Sequence, residues 1–342
     1  MATTRGRKTS PLYAARCGVR LARRLAWVTA ASIAAVASVQ LSFAQGKAEI
    51  HRTLMVTSTE QVILDVDVPS GDLQILYGRE GQVSIAGVAT ASSDAKLDDN
   101  FFPAVLTIEQ EGNHLTIRHV PEPAYPEKGI GVLYRIDVPY RTAVTSKLDR
   151  GQMNISGILG PVKAVTRNAE IKASYISKGL QARADIGNLD IQVIGEHVEA
   201  QTSRGNISCS RVALGVSAET DDGDITLMVV GPSTATVKKG IGRIDVGGAR
   251  GTLVGSTDGG DLHVRAIPHD DWRLRSASGN VRLDLPPAAK LELDVSTTSG
   301  ELQVDREDIG KPNSDPHHFY QTLNGGGKRI EVRTASGNIV IR

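Results

Sequence analysis

A glycine-centred motif, Thr-x-x-Gly-Asn-Ile-x-Ile in its fullest form, recurs from residue 144 to the end of the chain. Aligned on the glycine, the anchors are Gly151, Ala169, Gly187, Gly205, Gly223, Gly242, Gly260, Gly279, Gly300 and Gly337. Their spacings are 18, 18, 18, 18, 19, 18, 19, 21 and 37. Only Ala169 departs from glycine. Around each anchor the apolar residues alternate. Gly205 has Val198, Ala200 and Thr202 before it and Ile207 and Cys209 after it. Gly223 repeats this with Val216, Ala218, Thr220, Ile225 and Leu227, and Gly337 with Ile330, Val332, Thr334, Ile339 and Ile341. A period of two marks half-buried strands. Each unit therefore holds two short strands joined at a glycine turn, where glycine suits a positive φ.

A unit this small cannot bury its own apolar face, but stacked units bury a continuous one. The expected fold is all-β, a single-stranded β-helix (β-solenoid) with about 18 residues per coil. An antiparallel sandwich or propeller is the alternative. Ten coils at the ~4.8 Å strand spacing make a rod on the order of 45–50 Å long. The residue after the anchor is often Asn or an acid: Asn188, Asn206, Asp224, Asp261, Asn280, Glu301 and Asn338. These predict a ladder bonded side chain to side chain along the rod. Composition agrees with many short strands and turns: 35 Gly, but only 4 Phe and 2 Trp.

Residues 1–44 read as a leader. Arg5, Arg7, Lys8, Arg16, Arg20, Arg23 and Arg24 precede an apolar run from Leu25 to Phe43, and Ser42-Phe43-Ala44 ends in small residues. This pattern predicts a signal peptide cleaved after Ala44, with an uncleaved membrane anchor as the alternative. Without its seven basic residues, the 39 Lys and Arg become 32 against 38 Asp and Glu, a net charge of about −6. That charge disfavours nucleic acid as a partner. Cys209 is then the only cysteine left, so no internal disulfide forms. The predicted location is periplasm, cell surface or medium.

Residues 45–140 read as an N-terminal β cap region, and 141–342 as the repeats. Leu64, Val66, Val68, Gly71, Leu73 and Ile75 match the repeat template and predict an early coil. Leu106–Ile108 and Leu115–Ile117 flank Glu111-Gly112-Asn113 as a hairpin. Polar, Gly and Pro residues over about 305–327 predict an inserted loop.

Val138-Pro139, Ser278-Gly279-Asn280-Val281, Ser299-Gly300-Glu301-Leu302 and the closing Thr334-Ala335-Ser336-Gly337-Asn338-Ile339 carry a resemblance. Over most of 50–342 the chain resembles a bacterial domain-of-unknown-function family of β-strand-repeat proteins regarded as candidate adhesins. The resemblance implies an exported β-solenoid of adhesive or unknown role, and it supplies no catalytic residues.

Motifs for chemistry are sparse. There is no Gly-x-Ser-x-Gly, no His-Glu-x-x-His and no Cys pair. Asp221, Asp222, Asp224, Asp258 and Asp261 are the candidate Ca²⁺ ligands, hard oxygens at turns about two coils apart; turn chemistry alone also favours Asp there. Asp258, Asp261, His263 and Arg265 form the alternative catalytic group of a carbohydrate-active β-helix. His317, His318, Phe319 and Tyr320, in the predicted loop, are the candidate binding residues. No cofactor is expected. The reading is a non-catalytic envelope or surface protein that meets a surface polymer, glycan or protein, touching membrane only through its N-terminal segment if that is uncleaved. A self-assembling scaffold is a further alternative, because the chain ends on the Ile339–Ile341 strand, whose edge is expected to be open.

Overall fold

A computed structural model describes residues 46–92, 97–125, 129–306, 309 and 315–342. The leader of residues 1–44 and part of the insertion lie outside these. Among the described residues the fold is all-β, with 25 strands in one hydrogen-bonded system and one five-residue helix, Phe101–Val105.

The repeats form parallel layers. Leu189 pairs with Ile207, Ile207 with Ile225, Ile225 with Ile244, Ile244 with Leu262 and Leu262 with Val281. Each of these is at most 1% exposed, so like residues stack into continuous apolar ladders inside the molecule. Fully burying such a side chain contributes about 1.5–3 kcal/mol. The strand before the anchor stacks likewise: Val198 pairs with Val216, and Ala200 with Ala218. In the two layers Thr142–Ile158 and Val162–Ile176, strand pairing runs on through the anchor, and Gly151 lies opposite Ala169. The predicted early coil is such a layer too, since Val62–Tyr77 pairs with Thr142–Ile158 and sets Gly71 opposite Gly151.

The anchor is glycine because successive layers touch there, not only because the chain turns. At Gly205 φ is +148°, and a Cβ would stand 2.1 Å from the carbonyl oxygen of Gly187. Several anchors, Gly260 and Gly279 among them, meet the same contact without a positive φ. The hydroxyl three residues upstream completes the arrangement. Thr257 Oγ1 accepts from Gly260 N–H at 3.1 Å and donates to Gly242 C=O at 3.4 Å. Ser276, Thr297 and Thr334 repeat this at Gly279, Gly300 and Gly337. The Thr-x-x-Gly spacing is therefore an interior hydrogen-bond device that satisfies buried polar groups in two layers at once. Gly187 and Gly205 instead donate to the backbone of the following layer, at Arg204 and Asp222.

The ladder after the anchor makes the expected side chain to side chain bond from Asn280 Nδ2 to Asp261 Oδ1, at 3.2 Å, but elsewhere reaches backbone. Asn188 Oδ1 accepts Asn206 N–H at 2.9 Å, Asn206 Oδ1 accepts Asp224 N–H at 2.8 Å, and Asp224 Oδ1 accepts Arg243 N–H at 2.7 Å. The side chains reach the next layer's backbone because that N–H, at the corner, has no strand partner.

A second corner lies six residues after the anchor. Tyr175, Val193, Arg211 and Val229 all have φ between 54° and 56°, and Gly157 and Gly248 occupy the equivalent positions at 76° and 71°. For a β-branched residue this left-handed conformation is strained.

The C-terminal unit is not last in the stack. Lys328–Thr334 pairs with Trp272–Ser276 on one side and Leu291–Thr297 on the other. Ile339–Ile341 lies between Val281–Asp284 and Leu302–Val304. The chain thus returns and inserts its final unit between two earlier ones. This corrects the expectation of an open edge at Ile339–Ile341, because both edges of that strand are paired. The predicted loop over 305–327 contains a strand, His318–Leu323, that covers Leu291–Thr297 antiparallel. At the other end the predicted hairpin is present, with Ile108 opposite Ile117, and Lys47–Met55 and Gln82–Ala91 close the second edge antiparallel. Antiparallel closure keeps long edges from templating another chain.

Two outcomes test these contacts. Gly205→Val is expected to lower stability by roughly 2–5 kcal/mol, combining left-handed strain with overpacking. Val229→Asn, at an exposed left-handed position, is expected to raise it by about 1 kcal/mol. Urea unfolding of both variants beside the unmodified chain measures the two shifts.

Candidate binding groove

The outward face carries what the layers leave free. It holds a groove of about 790 Å³ across five layers, from Gln61 and Ile63 to His197 and Glu199. Four interlayer steps give a length of about 19 Å. The floor is low because the residue eight before the anchor is small or flat in three layers: Ala143, Pro161 and Gly179. Ile63, stacked on Ala143, is 44% exposed at one end. One rim is the ladder Thr145, Lys163, Gln181 and Glu199. The other is Arg141, Leu159, Lys178 and Glu196. Lys178 Nζ meets Glu196 at 2.9 Å, and Gln181 donates to Glu199 at 2.9 Å. Beside the groove, Leu159 N–H donates to Tyr140 C=O, while the Tyr140 hydroxyl lies 3.2 Å from Ser177 Oγ. Tyr140 packs edge-on against Tyr77, with centroids 5.8 Å apart.

The residues singled out in sequence fall elsewhere. Asp221 pairs with Lys239 at 2.9 Å. Asp224 and Asp261 accept backbone N–H groups of the next layer, from Arg243 and Asn280. Asp222 lies against Gly240, and the backbone carbonyl of Asp258 accepts Ser278 N–H. Among the described residues no three His, Cys, Asp or Glu side chains converge as metal ligands. His263 and Asp261 line the same hollow, of about 390 Å³, but the His263 ring is engaged by other carboxylates. Its Nε2 lies 2.8 Å from Asp284 and its Nδ1 3.8 Å from Asp245. Burial pushes the Asp284 carboxyl upward, but hydrogen bonds from His263 and Arg282 outweigh it and hold the group below its ordinary range.

His317, His318, Phe319 and Tyr320 belong to the capping strand and its approach. Phe319 is 3% exposed in the core, and His317 Nδ1 lies 3.2 Å from Gly300 C=O. His318 Nε2 lies 3.1 Å from Asp294 Oδ1. His317, His318 and Tyr320 are exposed, and Phe319 alone of the four is buried. The Asp294 side chain is 8% exposed and also meets Arg329 at 2.6 Å and Arg333 at 2.8 Å. The bond from Arg333 leads in holding this carboxyl far below its usual range; burial opposes it, and Arg329 and His318 reinforce it. Cys209 lies in an interior ladder, where burial, with Asp190 nearby, pushes its thiol up to about 12 and keeps it unreactive.

A family model described as Toastrack DUF4097 matches residues 106–342. The chain belongs to the Toastrack DUF4097 family. Solved structures similar to this Toastrack chain include a candidate cell adhesion protein from Clostridium sporogenes. It is 11% identical, with 86% of this chain and 98% of that one covered and a TM-score of 0.22. A candidate adhesin from Bacteroides fragilis is 11% identical, with 86% and 97% covered and a TM-score of 0.35. One from Parabacteroides distasonis is 11% identical, with 85% and 96% covered and a TM-score of 0.35. Comparison with curated proteins finds no match.

Neither the groove nor the Asp294 cluster was anticipated in sequence. The small residues Ala143, Pro161 and Gly179 at one repeat position were the available signal for the groove. Asp294 had none, because its partners come from an out-of-order layer.

Asp294→Asn is expected to cost about 1–2 kcal/mol near neutral pH, allowing for screening around the exposed arginines. A depressed carboxyl stabilises the fold fully above its unfolded value of about 3.9 and loses that contribution as pH falls through the folded value. Unfolding free energies of the two proteins should therefore differ above pH 4 and converge below it.

Proposed function

We propose that this Toastrack chain is a non-catalytic, exported envelope or surface protein of adhesin type that binds a surface partner through the Ile63–Glu199 groove. In this reading residues 1–44 direct export, and the repeat layers are coils of a single-stranded β-helix with about 18 residues each. The repeated pairing of residue i with i+18, as at Leu189, Ile207 and Ile225, supports the coil size.

One observation carries the binding reading: the groove is concave, spans five layers and has an apolar floor with a polar rim. Such surfaces hold ligands, whereas a flat strand face offers little. Its walls rest on continuous parallel pairing from Val62–Tyr77 to His197–Arg204, so the shape is built before a partner arrives. Preformed shape lowers the ordering cost of binding.

The expected outcome is saturable retention of the protein on intact cell envelopes. Ala143→Trp, which fills the groove from an outward position, should abolish retention while leaving the unfolding midpoint within a degree or two. N-terminal sequencing of the exported protein should begin at Gln45. Retention unaffected by Ala143→Trp would remove the groove reading, and release of sugars from any polysaccharide would remove the non-catalytic one.

A further inference from the structure

Resting on the groove reading above, we propose that its occupant is an acidic polysaccharide strand whose carboxylates are held by Arg141 and Lys163. Charge is the first observation. Lys178 is spent on Glu196, but Arg141 and Lys163 have no ion-pair partner among the described residues, and both are exposed at the rims. From Gln45 onward the chain carries 32 basic against 38 acidic residues, whereas the groove lining carries Arg141, Lys163 and Lys178 against Glu196 and Glu199, a balance of the opposite sign. An anionic ligand would find complementary charge there and repulsion over much of the remaining surface.

The floor distinguishes a sugar chain from a peptide. An extended peptide gains affinity by pairing with an open strand edge or by seating side chains in separate pockets. The strands beneath this groove have no open edge: Val62–Tyr77 and Thr142–Ile158 are paired on both sides. Ala143, Pro161 and Gly179 line it with small or flat side chains that offer no deep walls between them. A pyranose presents a flat C–H face to such a surface and a ring of hydroxyls to its sides. Gln61 and Gln181 stand at those sides as amide donors and acceptors. A linked pyranose also advances by nearly the interlayer step, so successive sugars would meet successive layers. Tyr140, adjoining Arg141 and pinned at Ser177, offers an aromatic ring to a sugar leaving the groove.

The test uses the full chain with polygalacturonate, its carboxyl-reduced neutral form and poly-glutamate, each followed by calorimetry. Polygalacturonate is expected to bind, with affinity falling steeply between low salt and 0.5 M. The neutral form should bind at least several-fold more weakly, and poly-glutamate should not compete. The double variant Arg141→Glu/Lys163→Glu should bind polygalacturonate roughly tenfold more weakly or worse, and the Gln/Gln pair should fall between. Arg250→Glu, an exposed charge away from the groove, is the control, with unfolding midpoints confirming that each variant folds. Equal loss in the Arg250 control, equal affinity for the neutral polymer, preferential binding of poly-glutamate, or binding of neither polymer would each overturn the proposal. If envelope retention is lost in Ala143→Trp but not in the double charge variant, the groove reading stands and the acidic-glycan assignment falls. If retention survives Ala143→Trp, both fall.

Discussion

The contact between successive anchors governs the rest of the molecule. At Gly205 the α-carbon sits so close to the carbonyl of Gly187 that no side chain fits on the facing side. Two backbones can approach this closely only where both polar groups are satisfied. The structure does this in two ways: a positive-φ glycine bonded to the next layer's carbonyl, or a flatter glycine whose N–H is taken by the hydroxyl three residues upstream. The second solution explains why Thr or Ser, rather than an aliphatic residue, sits among the buried positions at Thr257, Ser276, Thr297 and Thr334. An isosteric Val there would orphan an N–H and a C=O together, and unpaired buried polar groups are costly.

Fixing the interior in this way frees the exterior. The inward ladders carry the hydrophobic free energy, so alternate residues facing water are under little packing constraint. That freedom is used unevenly. Small residues at one outward position recess the surface into the groove, and long charged ones build the Asp294 network and the His263–Asp284 pair near the other end. The second corner adds strain, with Val193 and Val229 held in a left-handed conformation that glycine occupies at Gly157 and Gly248. The stacked pairing on either side over-determines those residues, which is how such strain persists.

The ends show how a repeat fold stops. Antiparallel strands cover both terminal layers, and the final unit is threaded between two earlier ones. Asp294 follows from that threading: Arg329 and Arg333 reach it from the inserted strand and His318 from the cap. One carboxylate thus ties three separated segments where the stack is most irregular.

The 18-residue spacing, the alternation at positions such as Val198, Ala200, Ile207 and Cys209, and the anchor glycines determined a stacked all-β fold without further information. These features are local and recur, so each copy reinforces the same reading. The Leu106–Ile117 hairpin was legible for the same reason. The side-chain ladder after the anchor was legible in position but only partly in bonding, since the donor it mainly reaches is a backbone N–H freed by corner geometry. Only the tertiary structure decided the order of the last layers, because Gly300 and Gly337 present equivalent faces to Gly279 and a periodic sequence does not say which stacks first. It alone placed Phe319 in the core and set His318 against the carboxylate of Asp294. It alone assembled the groove, because a recess is a relation among outward residues of five layers, and the interior that makes the repeat visible places no demand on them.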